Sequence, residues 1–283
     1  MGEIYMNFDA ISKDPVLDKE YPPITQTFTF NVKGDDLIVL VYVAQGKGPH
    51  PTIILYHGFP GYEKNFDLAQ TLRRAGYNVM IFHYRGCWGS TGVYSINNVL
   101  EDAEAAIDLL RTDACKSACR VDTDNIILMG YSLGGFTALI TLANHPEIKS
   151  MAFLVGFNFG RYAKELAGDE KKIREAEEFW SGSFAPLRGT SKEEFVAELL
   201  ENREKWDLVD YAEKLKGKNL LFIGGAYDTV ADVPNHQVPI VEALKKNNAN
   251  NLTDVIIETD HDCSNMRVGL CEKVLAWLES WDG

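Results

Sequence analysis

The sequence predicts an α/β architecture, a mostly parallel β-sheet flanked by helices. Short, predominantly apolar runs at residues 53–56, 78–84, 126–129, 151–155 and 219–224 alternate with longer segments whose apolar residues recur at helical spacing. Strands buried on both faces read as continuous apolar runs, so this alternation points to repeated strand–helix units and a covered parallel sheet. The length of 283 residues, with 46% apolar and 11% aromatic side chains, is enough to bury one large core.

Taken in order, residues 1–24 read as an irregular N-terminal arm ending in Pro22-Pro23. Residues 25–32 and 37–44, rich in Thr, Phe, Val and Leu, flank Lys33-Gly-Asp-Asp36 and form an expected hairpin at one edge of the sheet. The strand at 53–56 runs into His57-Gly-Phe-Pro-Gly61, whose glycines and proline turn the chain sharply. Such a strand end can aim a backbone N–H at a reacting centre. Phe66, Ala69, Leu72 and Ala75 then mark a helix with a glycine stop, and the strand at 78–84 follows. Ser95 is the expected N-cap of a helix that keeps Ile96, Val99, Ala103, Ala106, Ile107 and Leu110 on one face. Between residues 157 and 216 the charge density rises and no strand is evident. Helices are expected at 162–179 and 192–206, the second opened by Ser191 with Glu194 in a capping-box pattern. An all-helical insertion here reads as a lid (157–216) over the C-terminal edge of a core made from 25–156 and 217–283. The core resumes with a strand at 219–224, a helix at 239–246, a strand at 253–258 and a last helix at 266–281.

Composition excludes several function classes. Acidic residues outnumber basic ones 41 to 28, giving a formal charge of −13 and no long basic run, so nucleic acid is not an expected partner. No stretch approaches the ~20 apolar residues of a membrane span, and the N-terminus lacks the basic and apolar regions of a secretory signal. The expectation is a cytoplasmic protein without a membrane partner, and the oligomeric state is not legible. Five cysteines (87, 115, 119, 263 and 271) fit thiols in a reducing compartment. Cys115 and Cys119, with three residues between them, read as helix-end packing or an incidental disulfide rather than as zinc ligands.

The chemistry gathers at Asn125-Ile-Ile-Leu-Met-Gly-Tyr-Ser-Leu-Gly-Gly135. Here a buried strand passes into a helix through Gly-x-Ser-x-Gly, which lifts the Ser132 hydroxyl clear of the sheet at a helix N-terminus where the N–H of Leu133 is available to an oxyanion. A nucleophilic serine needs a base, and the base needs a carboxylate to fix its tautomer. His261 follows a late strand, whereas His50 and His236 read as polar-loop residues, His57 as a loop-shaping one, and His83 and His145 as residues at element ends. Asp228 follows the strand at 219–224 and is the preferred acid, with Asp232 in the same loop as the reserve and Asp260 and Asp262 flanking the base. The chain order Ser, Asp, His matches this architecture.

Together His57-Gly-Phe-Pro-Gly61, Tyr84-Arg-Gly-Cys-Trp-Gly-Ser90, Gly130-Tyr-Ser-Leu-Gly134, Gly225-Ala-Tyr-Asp228 and Asp260-His261 resemble the α/β-hydrolase superfamily. The segment containing Cys87 is similar to that of bacterial esterases and of catalytic domains related to dienelactone hydrolase and prolyl oligopeptidase. The resemblance implies an α/β-hydrolase fold with a helical lid insertion. It implies Ser132 as nucleophile, His261 as base and Asp228 as acid, with the backbone N–H groups of Phe59 and Leu133 as the oxyanion hole. His83 departs from the pattern, since many relatives carry aspartate there. Trp88, Phe157, Phe159, Tyr162 and Trp180 are the candidates for a substrate pocket. The expected reaction is hydrolysis of a carboxylic ester of a small or moderately polar molecule through an acyl-serine, with no cofactor and no metal. A serine peptidase or amidase, or a noncatalytic ligand-binding protein on the same fold, are the alternatives.

Overall fold

The computed structural model describes residues 8–63 and 65–280. Residues 1–7 of the expected arm and residue 281 of the expected last helix lie outside them. The described elements run β1 (Ile24–Val32), β2 (Asp35–Val43), β3 (His50–Tyr56), α1 (Phe66–Arg74), β4 (Asn78–Phe82), α2 (Ile96–Arg111), α3 (Asp113–Cys119), β5 (Val121–Tyr131), α4 (Leu133–Asn144) and β6 (Ser150–Leu154). They continue with α5 (Phe159–Leu166), α6 (Glu170–Trp180), α7 (Lys192–Asn202), β7 (Asn219–Gly225), α8 (Val233–His236), α9 (Val238–Lys246), β8 (Leu252–Ile257) and α10 (Arg267–Glu279).

The strands form one eight-stranded sheet in the order β1-β2-β4-β3-β5-β6-β7-β8. The β1–β2 hairpin is antiparallel and joins β4 in antiparallel fashion, while every pairing from β4 to β8 is parallel. The apolar runs are continuous because successive side chains feed two separate cores. Ile54 and Tyr56 of β3, Met151 and Phe153 of β6, and Leu220 and Phe222 of β7 face one side with residues of α2, α4 and α9. Ile53, Leu55, Ala152, Leu154, Leu221 and Ile223 face the other, against Leu68 and Leu72 of α1 and Leu270, Val274 and Trp277 of α10. Both faces are therefore covered by helices. The direction of strand addition reverses around β3, which puts a crevice at the C-terminal ends of β3 and β5.

Three local expectations are corrected. The helix predicted over 162–179 is two helices, because Gly168 takes φ 81° after α5 and the Asp169 side chain caps the N–H groups of Lys171 and Lys172 to begin α6. The helix predicted over 192–206 ends at Asn202, and Trp206 beyond it is fully buried. His236 does not lie in a polar loop: Val233-Pro234 start the short helix α8, which carries His236 inward until only 5% of it is exposed. Among the described residues no helix is long and apolar enough to cross a membrane.

Candidate active site

β5 delivers Ser132 at the crevice. Ser132 takes φ 55° and ψ −117°, a conformation that non-glycine residues adopt only when the surroundings enforce it. Its N–H donates to Leu154 O at 2.9 Å and its carbonyl accepts from Gly135 at 2.9 Å, so β6 and the first turn of α4 grip the corner from both sides. The two flanking glycines are steric necessities. A Cβ on Gly130 would lie 1.8 Å from Gly134 O, and one on Gly134 would lie 2.0 Å from Tyr56 O.

β7 and β8 supply the other two groups to the same edge. Asp228 is buried just beyond β7, and its Oδ1 accepts from the N–H groups of Val230 and Ala231, each at 2.8 Å. Its Oδ2 lies 2.7 Å from His261 Nδ1. A carboxylate only accepts, so the proton sits on Nδ1 and the Nε2 lone pair points to Ser132 Oγ at 3.0 Å. The structure thus brings Ser132, His261 and Asp228 into one continuous hydrogen-bonded line. Asp232 is elsewhere engaged, with its side chain capping α8 through Asn235 N. Tyr131, which the sequence reading did not single out, donates its hydroxyl to His261 O at 2.8 Å and to Asp262 Oδ1 at 2.7 Å, fastening the histidine loop to β5. Burial and the neighbouring Asp262 carboxylate raise its phenol well above the ordinary range. The residue before a Gly-x-Ser-x-Gly serine is placed beside that loop by topology, yet nothing in its own identity announces the contact.

The loop after β3 passes directly over the serine. A Cβ on Gly58 would lie 3.1 Å from Ser132 Cβ and 3.0 Å from the Tyr131 ring, a crowded approach that glycine relieves. The N–H groups of Phe59, next in this loop, and of Leu133, at the start of α4, have no hydrogen-bond partner among the described residues. The Phe59 ring inserts among Tyr94, Trp180, Phe184 and Phe195, with centroids 4.7–5.6 Å away, joining the loop to the segment 157–216.

That segment contributes α5, α6 and α7 and a cavity of about 220 Å³. The cavity is lined by Phe157, Tyr162 and Phe179 on one side and by Thr229, Val230 and His236 on the other, immediately past Asp228. Of the five pocket candidates, Phe157 and Tyr162 line it. Phe159 and Trp180 are buried in the aromatic cluster, and Trp88 lies apart, 38% exposed against Tyr62 with its Nε1 donating to Pro60 O at 3.0 Å. Asn158 ties the segment to the core: its N–H donates to His236 Nδ1 at 3.0 Å, and its side chain joins Asp207, Arg161 N and Leu208 N. Burial depresses the His236 imidazole to about 4, so the ring is neutral and able to accept this bond.

A sequence profile described as the alpha/beta hydrolase fold matches residues 51–190. The chain belongs to the α/β-hydrolase superfamily. An uncharacterised protein of Escherichia coli O157:H7, YfhR, is 27% identical over 154 residues, covering 52% of this chain and 52% of YfhR. The chain thus spans about half the length of that curated relative. An esterase of Pyrococcus furiosus superposes with a TM-score of 0.65 at 18% identity, covering 93% of each chain. The acylaminoacyl peptidase of Pyrococcus horikoshii does so with a TM-score of 0.64 at 17% identity, covering 91% of this chain and 41% of that one. At these identities the likeness to the solved structures is one of fold. These neighbours in fold thus include an esterase and a peptidase.

Proposed function

We propose that this α/β-hydrolase is a serine hydrolase that cleaves a carboxylic ester of a small or moderately polar molecule in the cytoplasm. The observation that carries the reading is the line Ser132 Oγ to His261 Nε2 at 3.0 Å and His261 Nδ1 to Asp228 Oδ2 at 2.7 Å, at a strained strand–helix corner. His261 takes the serine proton as Oγ attacks the ester carbonyl, and Asp228 holds the imidazolium that forms. The negative charge that develops on the carbonyl oxygen is met by the N–H groups of Phe59 and Leu133, each worth roughly 10²-fold or more in rate. The C–O bond then breaks, and the alcohol leaves with the proton held by His261. Water, deprotonated by the same imidazole, releases the acid from Ser132.

Segment 157–216 serves as the cap, and the cavity lined by Phe157 and Tyr162 supports a subsite for part of the substrate beside the acid. An ester is preferred over an amide because an alkoxide leaves with less help than an amine. The experiment is hydrolysis of p-nitrophenyl esters from acetate to long acyl chains, alongside peptide p-nitroanilides, by the wild type and a folded Ser132→Ala variant. Ester turnover that is lost in the variant and falls off with increasing acyl length supports the reading. Turnover of the anilides alone moves the assignment to a peptidase, and equal slow rates in both proteins sink the serine mechanism.

A further inference from the structure

The ends of β3 and β4 bring together three side chains that the proposed hydrolysis does not use. The two strands are parallel neighbours, so His57, the first residue beyond β3, and His83, the first beyond β4, stand side by side with ring centroids 5.6 Å apart. The chain then turns back, with Cys87 N donating to Tyr84 O at 3.0 Å, and returns Cys87 to the same place. One ring nitrogen of each histidine and the Cys87 Sγ all lie within 4.8 Å of one another. His57 and Cys87 are buried and His83 is half-buried.

We propose that His57, His83 and Cys87 form a binding site for a borderline-soft divalent transition-metal ion, Zn²⁺ foremost. Two imidazoles and a thiolate are the donor set of zinc and its neighbours, whereas Mg²⁺ and Ca²⁺ take oxygen. The His57 Nδ1 lies 2.7 Å from Gly58 O, and because a carbonyl only accepts, the proton is on Nδ1 and the lone pair on Nε2. A ligating histidine is held in this way, its second nitrogen donating to a carbonyl. Bonds of 2.0–2.3 Å to a tetrahedral ion set its ligands roughly 3.5 Å apart, so atoms already within 4.8 Å of one another need converge by about 1 Å at most on binding. Coordination releases the thiol proton to solvent as the metal–sulfur bond forms, and water takes the fourth position.

The surroundings hold the ligands in register without the ion. Tyr84 donates to His57 O at 3.1 Å and Trp88 Nε1 to Pro60 O at 3.0 Å, so the loops 57–61 and 83–92 are already cross-linked, and Arg85 is locked to Asp102 of α2 at 2.6 Å. A bound ion adds a bridge between them. Its role is structural: Ser132 and His261 are outside the ligand set, and the site stands whether or not the ester reading does.

The test is titration of the metal-free whole chain with Co²⁺, followed by displacement with Zn²⁺. A single equivalent of Co²⁺ should give the thiolate-to-cobalt charge-transfer band together with the strong d–d bands of a tetrahedral site. Cys87→Ser should abolish the charge-transfer band, and His83→Ala should weaken binding by more than the roughly 10–100-fold typical of losing an outer-shell partner. Cys115→Ser and Cys263→Ser should leave both spectra and affinity unchanged. Zn²⁺ should raise the melting temperature of the wild type but not that of Cys87→Ser, whose own metal-free melting transition reports that it is folded. No charge-transfer band in the wild type, or one that persists in Cys87→Ser, overturns the proposal.

Discussion

Asp228 and Asp232 are four residues apart in one loop, and the sequence ranks them without separating them. The separation is geometric: Asp228 Oδ2 faces His261 Nδ1, while the Asp232 carboxylate accepts from the backbone N–H and side-chain amide of Asn235 at the start of α8. If Asp228 orients the base, Asp228→Asn stabilises the wrong tautomer and lowers kcat on a p-nitrophenyl ester by roughly 10⁴-fold with the fold retained. Asp232→Ala should instead leave kcat within a few-fold and cost about 1 kcal/mol of stability through the lost cap, read from urea denaturation. Equal kinetic losses in both variants would contradict the ranking. Ser132 and the two glycines beside it were legible because the strand–helix corner demands them, and His261 because it follows a late strand that parallel topology brings to the same edge. Tyr131 and the cluster at His57 were not, since their contacts depend on which strands become neighbours.

Among the elements, the turn that follows β4 depends on one buried ion pair. Arg85 donates through its backbone N–H and Nε to Asp102 of α2 at 2.7 and 2.6 Å, with the guanidinium only 5% exposed and the carboxylate fully buried. Breaking such a pair leaves a charge without its partner in a poorly solvated place. Asp102→Ala should therefore cost roughly 3 kcal/mol, read as a fall in urea midpoint with an unchanged m-value, and a loss below about 1 kcal/mol would show that Glu101 alone compensates Arg85. The strands and α1, α2, α4 and α10 were legible from apolar runs and from periodicity. The division of α5 from α6 was carried by Gly168-Asp169, a stop followed by a cap inside an otherwise helical pattern, and the short α3 was hidden because Thr112 ends α2 and caps α3 with no loop between them. That segment 157–216 lies over the C-terminal edge was expected from its place in the chain, but which surface each of its aromatics meets was not legible, because they carry no register that specifies it.

Across the whole molecule, the join between this segment and the sheet makes stability depend on pH. His236 is neutral and accepts the Asn158 N–H, facing Asp232, Asp228, His261 and Arg161, with its pKa held down to about 4 by burial. Below about pH 6.5 the unfolded chain binds a proton that the native ring refuses, so stability falls as the pH drops from about 6.5 to about 4, by up to about 1.4 kcal/mol per unit, and levels off beneath. Urea denaturation between pH 7.5 and 4 should show a shallower fall in His236→Asn than in the wild type, and parallel profiles would contradict this assignment. In the proposed mechanism Ser132 is a nucleophile activated by His261. Intact-mass analysis after incubation with a fluorophosphonate tests it most directly. A single adduct per chain is expected, mapped to the peptide containing Ser132, absent from Ser132→Ala and slowed in His261→Ala. An adduct that survives Ser132→Ala, or none in the folded wild type, would contradict it.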